Sequence, residues 1–190
     1  MFKSKKYTDS EPKSFPGYYD WRDGVIVRSP NWLGDAVMAL PAIYAVYRLK
    51  PAACGFFVAA PRNLVPFYRA LSWVDYICDL GDGHSKWSSK TVKTVEDLKP
   101  GLGVLFVNSL RSAYYLRRSR VRQLYGASRF LRNILLSKNV KIAPHRKKNY
   151  SNEHQAVKYL KIAELLGVED ISIKFPKFQP LNSVGLGIEH

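Results

Sequence analysis

Two short apolar runs constrain the fold of this chain most strongly. They are GVIVRS at residues 24–29 and LGVLFVNS at residues 102–109, and a segment with helical periodicity follows each of them. Strands that are apolar over nearly their whole length are buried on both faces, as in parallel sheets covered by helices. Strands that alternate with helices predict right-handed βαβ units. The expected fold is therefore α/β, with a mostly parallel sheet and helices on both of its faces.

The same reasoning predicts the remaining elements. Further strands are expected at 54–60, 74–80, 122–127 and 139–144, and helices at 35–49, 63–71, 111–119 and 152–167, with a loop at 84–100 that contains a short helix near 92–98. In the first helix, the spacing of apolar residues predicts one shared face formed by Val37, Leu40, Tyr44 and Tyr47. Pro41 lacks a backbone N–H and predicts a kink or a short first segment there.

Length and composition indicate one domain with peripheral segments. The chain has 190 residues, enough for a single sizeable core. Residues 1–22 are expected to form a flexible extension, residues 23–173 the domain, and residues 174–190 a linker or tail. Asn152 with Gln155 predicts a capping box at the start of the last helix.

Cysteine use and hydropathy favour a cytoplasmic protein. Cys54 and Cys78 lie in apolar contexts, and we expect two buried, reduced thiols. No apolar stretch reaches the roughly 20 residues that span a bilayer, and the basic N-terminus lacks the apolar segment of a signal peptide. The expected location is cytoplasmic, with peripheral contact at a membrane surface as the alternative.

The charge of the chain favours an anionic partner. The net charge is +15, from 30 basic and 15 acidic residues, which favours phosphates, nucleic acid or an acidic membrane surface. No acidic residue stands between Asp97 and Glu153. Within this stretch, the segment HRKKNY at 145–150 is predicted to face a membrane.

The turn after the first strand is the strongest candidate site. Ligands of open parallel sheets bind beyond the carboxyl ends of the strands, yet the turn lacks both GxGxxG and GxxxxGK[ST], so it is not a usual phosphate-binding loop. Asp35 stands where the helix begins. As a helix cap it would gain about 0.3–1 kcal/mol from the helix dipole, and as a general base it would be held by a rigid element. These local considerations favour Asp35 as a helix cap and leave its role as a general base open. Asn108 and Ser109 are expected at the same edge of the sheet.

Four segments resemble a known family in order and spacing. They are RSPNWLGDAVMALPAIYAVYR (28–48), LFVNSLRSAYYL (105–116), YGASRFLRNILLSKNV (125–140) and HQAVKYLKIAELLGV (154–168). Together they resemble the ADP-heptose:lipopolysaccharide heptosyltransferases of glycosyltransferase family 9, nearest the type II enzymes. The resemblance implies a Rossmann-like three-layer sandwich that forms the N-terminal half of a GT-B glycosyltransferase. Such an enzyme transfers heptose from ADP-heptose to the lipopolysaccharide inner core, with inversion and without a metal or cofactor.

The resemblance also implies roles for individual residues. Asp35 corresponds to the proposed catalytic base, and the acceptor-binding residues would be Asn31, Trp32, Gly34, Asn108, Ser109, Arg111 and Arg132. The acceptor would be an anionic core oligosaccharide at the inner membrane surface. ADP-heptose would bind mainly to a C-terminal domain that should begin where this sequence ends, so the chain alone is expected to lack turnover.

Two other functions compete with this one. The interleaved arginines and tyrosines of residues 111–132 would suit stacking on bases and contact with nucleic-acid phosphates. However, the chain has no recognisable nucleic-acid motif and the segment follows a strand in a βαβ pattern, which makes nucleic-acid binding the weaker hypothesis. A non-catalytic acceptor-binding domain is the third reading.

Overall fold

The computed structural model describes residues 19–141, 155–169 and 175–176. The strands of this part are Gly24–Arg28 (β1), Gly55–Ala60 (β2), Tyr76–Asp79 (β3), Leu102–Leu105 (β4), Gln123–Ala127 (β5) and Lys138–Val140 (β6). They form one six-stranded sheet in the order β3-β2-β1-β4-β5-β6. Every pairing in it is parallel. The order changes direction between β1 and β4, where doubly wound sheets bind their ligands.

Helices connect these strands. Those of the described residues are Leu33–Leu49 (α1), Val65–Arg69 (α2), Ser89–Asp97 (α3), Leu110–Arg118 (α4) and Gln155–Glu164 (α5). A 3-10 turn at Arg62–Leu64 precedes α2, and a longer 3-10 segment at Phe130–Leu135 connects β5 to β6. No helix in these described ranges is long and apolar enough to cross a membrane.

Two apolar clusters cover the opposite faces of the sheet. Val25 and Val27 of β1 pack with α1 and α5 in one cluster. Ile26, between them, packs in the other cluster with Val95 of α3 and Leu116 of α4. Alternate residues of a strand point to opposite faces, so β1 needs apolar side chains throughout. The predicted α/β, Rossmann-like three-layer sandwich is confirmed.

Local chemistry explains where the helices differ from the predicted ones. Pro41 lies inside α1, which continues as one helix of 17 residues without a separate first segment. A proline removes one helix hydrogen bond, and the buried face of α1 keeps the flanking turns on the sheet. The expected helix at 63–71 is divided into a 3-10 turn and the shorter α2, with Pro66 in its first turn. Helix α3 begins earlier than expected because the Ser88 hydroxyl accepts a hydrogen bond from the backbone N–H of Thr91 at 3.0 Å.

The buried face of α1 differs from the predicted one. Ala36, Ala39, Leu40, Ile43 and Val46 are buried, and the alanines allow the helix to lie close to the sheet. By contrast, Val37 is 38% exposed. The two tyrosines of the predicted face are half-buried and flank the indole of Trp73, with ring centroids 5.3 and 5.0 Å away. The predicted helical periodicity is confirmed, but the buried face is formed by Leu40, Ile43 and Val46 together with alanines.

The predicted domain boundary at residue 23 lies within the described residues, whereas the predicted boundary at residue 173 lies outside them. Tyr19, which the sequence assigns to the N-terminal extension, is buried against the ring of Tyr125 at 5.9 Å. Its hydroxyl donates to the carbonyl of Leu165 at 3.3 Å, so the packed part of the chain already includes Tyr19. The Asn152 capping position, the basic segment 145–150 and nearly all of 174–190 lie outside the described residues.

The two cysteines differ in their surroundings. Cys78 is buried, and burial raises the pKa of its thiol to about 12. Cys54 is only half-buried, in contrast to the prediction, because it precedes β2 in a turn at the surface. Both are free thiols.

Replacement of Leu40 tests the corrected face of α1. Leu40→Ala should lower the free energy of unfolding by about 2–5 kcal/mol, because a fully buried leucine leaves a cavity. Val37→Ala is the matched control on the same helix, and it should change that free energy by about 0.5 kcal/mol or less. Urea denaturation measures both, and equal losses for the two variants would contradict this orientation of α1.

Candidate functional site

An open groove lies at the carboxyl edge of the sheet. Its volume is about 720 Å³, and its walls are the turn before α1, the loop after β3 and the first turns of α4. The lining residues are Asn31, Gly83, His84, Ser85, Trp87, Ser109, Leu110, Arg111, Ser112, Tyr114 and Leu135. Because parallel strands all end at this edge, segments distant in the sequence meet here.

The start of α4 forms one wall of the groove. Ser109 is the N-cap, and its hydroxyl accepts a hydrogen bond from the backbone N–H of Ser112 at 3.2 Å. Arg111 is exposed, and its guanidinium donates to the carbonyl of His84 across the groove. This hydrogen bond joins α4 to the opposite loop and places a cation at the groove wall.

The loop after β3 forms the opposite wall. The Asp82 carboxylate accepts hydrogen bonds from the backbone N–H groups of His84 at 2.8 Å and Ser85 at 2.6 Å, and from the Ser85 hydroxyl at 2.6 Å. These bonds hold the pKa of Asp82 below its usual range. Gly83 has a φ of +74°, which favours glycine, and an added Cβ would come within 2.7 Å of the Pro61 ring. The Asp82 hydrogen bonds and the left-handed backbone of Gly83 together define the shape of this loop.

Buried hydrogen bonds connect this loop to the turn before α1. Arg28 is the last residue of β1 and is 1% exposed. One of its terminal nitrogens, Nη2, donates to the side-chain oxygen of Asn31 at 2.6 Å and to the carbonyl of Gly83 at 3.3 Å. Arg28 thus lies beneath two residues that line the groove.

Asp35 lies in the first turn of α1. The N-cap position belongs to Trp32, whose side chain makes no capping hydrogen bond, so the cap expectation for Asp35 is wrong in position. Asp35 is the third residue after the cap, where the helix dipole still favours a carboxylate. Asp35 is half-buried and is not among the residues that line the groove, although it follows the same turn as Asn31.

The carboxylate of Asp35 interacts with Tyr159 of α5. Burial raises the pKa of the Tyr159 hydroxyl, and both the charge of Asp35 and a side-chain hydrogen bond to it raise this pKa further. A hydrogen bond with Gln155 acts in the opposite direction. Tyr159 is 7% exposed and packs against Phe106 with ring centroids 5.9 Å apart. Tyr159 is therefore a buried neighbour of the Asp35 carboxylate.

The structure brings together only part of the predicted site. Asn31, Ser109 and Arg111 line the groove. Trp32 is 67% exposed, and its ring centroid is 6.3 Å from that of His84. Asn108 is exposed beside Ser109.

Two of the remaining predicted residues are placed differently. Gly34 is exposed on α1, and an added Cβ there would meet nothing within 4 Å. Arg132 is 2% exposed and donates to the carbonyls of Val107 and Ala127, so it does not line the groove. Burial lowers the pKa of Arg132 to about 10.

Sequence reasoning missed Arg28, His84 and Tyr159. His84 stands at the start of the predicted loop 84–100, directly after the glycine pair of residues 81–83, and a glycine pair indicates a turn without showing what the turn faces. Arg28 and Tyr159 stand in apolar segments, where an isolated polar residue gives no sign of its partner.

Within the described ranges, no group of three or more His, Cys, Asp or Glu residues could hold a metal ion.

Residues 111–132 carry both engaged and exposed side chains: Tyr114 is 48% exposed and Arg118 is exposed, whereas others pack within the fold. Tyr115 stacks on Trp87 with ring centroids 5.5 Å apart and an interplanar angle of 9°. Arg117 donates from Nε to the carbonyl of Leu135 at 2.8 Å. The side chains of Tyr115 and Arg117 are therefore held within the fold and are not free to stack on a base.

Comparison with known proteins identifies the fold. No protein-family model matches this chain, and no curated protein matches it. Among solved structures, the ADP-heptose lipopolysaccharide heptosyltransferase II of E. coli matches with a TM-score of 0.62 at 17% identity, covering 82% of this chain and 46% of that one. A glycosyl transferase family 9 protein from Veillonella parvula matches with a TM-score of 0.65 at 17% identity, covering 82% of this chain and 44% of that one. The chain therefore shares the fold of slightly less than half of each of these structures.

A third structure extends this comparison. The E. coli heptosyltransferase WaaC, solved with ADP, matches with a TM-score of 0.61 at 11% identity, covering 81% of this chain and 49% of that one. The chain spans about half the length of the structures it matches. The resemblance found in the sequence is thus confirmed at the level of the fold, which is that of one half of a GT-B glycosyltransferase.

The contact between Asp35 and Tyr159 can be tested by titration. Asp35→Asn should lower the pKa of Tyr159, because a neutral amide no longer opposes formation of the phenolate. Carbon-13 NMR of tyrosine-labelled protein would follow the pH dependence of this residue, with Tyr159→Phe to assign its signal. Glu164→Gln, an exposed acid on the same helix, is the control and should leave that pKa unchanged. An unchanged Tyr159 pKa in Asp35→Asn would contradict the contact.

Proposed function

We propose that this chain is the acceptor-binding, N-terminal half of an inverting glycosyltransferase. Its reaction would transfer heptose from ADP-heptose to the lipopolysaccharide inner core. The observation that carries the proposal is the groove at the carboxyl edge of the sheet, beside the Gly34-Asp35 turn, in a fold shared with heptosyltransferases. The donor would bind mainly to a second domain across a cleft.

Asp35 would act as the general base. It would take the proton from an acceptor hydroxyl, whose oxygen attacks the anomeric carbon of heptose as the bond to ADP breaks. The attack occurs from the side opposite to ADP, so the configuration inverts. Tyr159 of α5 lies beside this carboxylate, whose charge raises the pKa of the Tyr159 hydroxyl. A base held in one position contributes about 10²–10⁴-fold to the rate of such a proton transfer.

The groove would hold the acceptor. Arg111 offers a guanidinium, Asn31 an amide and Ser109 a hydroxyl, and these groups suit phosphates, carboxylates and sugar hydroxyls. Because Asp35 follows Asn31 by one short turn, an acceptor in the groove would present its hydroxyl over Trp32 toward Asp35. The net charge of +15 would attract an anionic acceptor over longer distances.

We also propose that the protein is cytoplasmic and touches an anionic membrane surface at this edge. Leu131 and Ile134 of the 3-10 segment are 57% and 81% exposed, beside the exposed Arg129. Apolar side chains with neighbouring cations suit the interface of an anionic bilayer.

Ile134→Ser should weaken co-sedimentation with phosphatidylglycerol vesicles by about tenfold or less, whereas Tyr76→Ser, an exposed residue on edge strand β3, should not. Equal binding by both variants would contradict this surface.

The catalytic proposal is tested by measuring turnover. The 190-residue chain should show no heptose transfer from ADP-heptose, and a longer protein in which a donor-binding domain follows it should show transfer. In that longer protein, Asp35→Asn should reduce kcat by about 10²–10⁴-fold, because the amide cannot accept the proton. Radiolabelled or mass-spectrometric detection of the glycosylated acceptor measures both.

A control separates catalysis from stability in this experiment. Asp97→Asn removes a carboxylate that pairs with Lys93 at 2.7 Å on the exposed side of α3, and it should leave kcat unchanged. If Asp35→Asn keeps the normal rate and only lowers the melting temperature, Asp35 is a helix-stabilising residue and the base assignment is wrong. Transfer by the 190-residue chain alone would contradict the need for a second domain.

A further inference from the structure

Arg28 is a buried cation without an acidic partner. It is 1% exposed, and its recorded acceptors are the carbonyls of Ser29 and Gly83 and the side-chain oxygen of Asn31, which are all neutral. Its Nε has no hydrogen-bond partner. None of the ion pairs formed among the described residues includes Arg28. A buried charge is costly unless a counter-charge or a full set of hydrogen bonds compensates it.

The position of Arg28 connects this charge with the groove. Asn31 belongs to the turn before α1 and Gly83 to the loop after β3, and both residues line the groove. The two loops approach closely, because a Cβ at Gly83 would be 3.1 Å from the Asn31 side-chain oxygen. Arg28 bonds to both from below and therefore fixes their separation.

The charge state of Arg28 persists at neutral pH. Burial lowers its pKa to about 10, and the nearby Tyr68 raises it slightly. A guanidinium with such a pKa remains protonated under physiological conditions. The groove consequently has the exposed cation of Arg111 on its wall and a second cation beneath its floor.

We propose that Arg28 is a positioning residue that orders Asn31 and the Gly83 loop and makes the groove selective for an anionic group, a phosphate or a carboxylate. This inference rests on the groove being the acceptor site, and it identifies what determines the charge of the ligand there. Arg28 does not touch the ligand, since its side chain is buried. Its field and its two hydrogen bonds act through Asn31 and Gly83.

The test uses inorganic phosphate and the 190-residue chain. In an NMR titration, phosphate should shift the amide signals of Asn31, His84 and Arg111. Arg28→Gln should weaken phosphate binding by about tenfold or more, because it removes both the charge and the hydrogen bonds that hold Asn31 and the Gly83 loop. Arg28→Lys keeps the charge but cannot bridge both loops, and its affinity should fall between those of the wild type and Arg28→Gln. Arg48→Gln, at the exposed far end of α1, removes the same charge and should bind within about twofold of the wild type.

A measurement on the wild type keeps the inference testable if Arg28→Gln does not fold. The Nε–H signal of Arg28 should move during the phosphate titration with the same midpoint as the groove amides. A stationary Arg28 signal, or a folded Arg28→Gln variant with wild-type affinity, would overturn the proposal. So would groove amides that do not respond to phosphate or acetate at all.

The outcome is separable from that of the turnover experiment. Phosphate and acetate are titrated separately, and binding of either supports an anion site, while their ratio distinguishes a phosphate-bearing from a carboxylate-bearing ligand. If anion binding depends on Arg28 but no transfer is found in the two-domain protein, the anion site stands and the glycosyltransferase proposal fails. If transfer is found but Arg28 does not affect anion binding, the glycosyltransferase proposal stands and the proposed role of Arg28 fails.

Discussion

Parallel pairing of every strand in the described sheet is the constraint on which the site depends. All strands end at one edge, so each connection to the next helix begins there. The loops after β1, β3 and β4 come from residues far apart in the sequence, and the sheet alone brings them to one groove. An antiparallel sheet of the same composition would distribute these turns over two edges. The order and direction of the strands thus determine where the groove lies, whichever side chains line it.

Buried cations determine how these loops are held at the edge. Arg28 and Arg132 are both nearly inaccessible, and backbone carbonyls are prominent among their acceptors. Loops carry polar backbone groups that need partners when they are buried. A guanidinium with five N–H donors can satisfy several carbonyls at once. Hydrogen bonds from buried, positively charged side chains therefore hold the loops at this edge, whereas apolar packing holds the helices on the two faces of the sheet.

The sequence was sufficient for the fold and only partly sufficient for the site. Apolar runs in β1 and β4 predicted buried parallel strands because both faces of a covered sheet demand apolar side chains. The buried face of α1 was predicted only in part, because apolar residues stand all around this helix and their spacing alone does not distinguish the face of Leu40, Ile43 and Val46 from that of Val37, Tyr44 and Tyr47. Ser109 and Arg111 were found because they directly follow a strand. The position of His84 at the groove depends on a contact between loops that are distant in the sequence, and no local sequence pattern predicts such a contact.

The free space beside Gly34 has a consequence for the start of α1. Glycine inside a helix costs about 0.5–1 kcal/mol relative to alanine, and here nothing in the described chain would collide with the extra carbon atom. The helix therefore accepts a less stable residue without any steric need of its own. A requirement for glycine at this position would have to come from a molecule that lies against the backbone, where a methyl group would hold it away from the neighbouring carboxylate. Within the described chain, the packing around the start of α1 does not decide between glycine and alanine at this position.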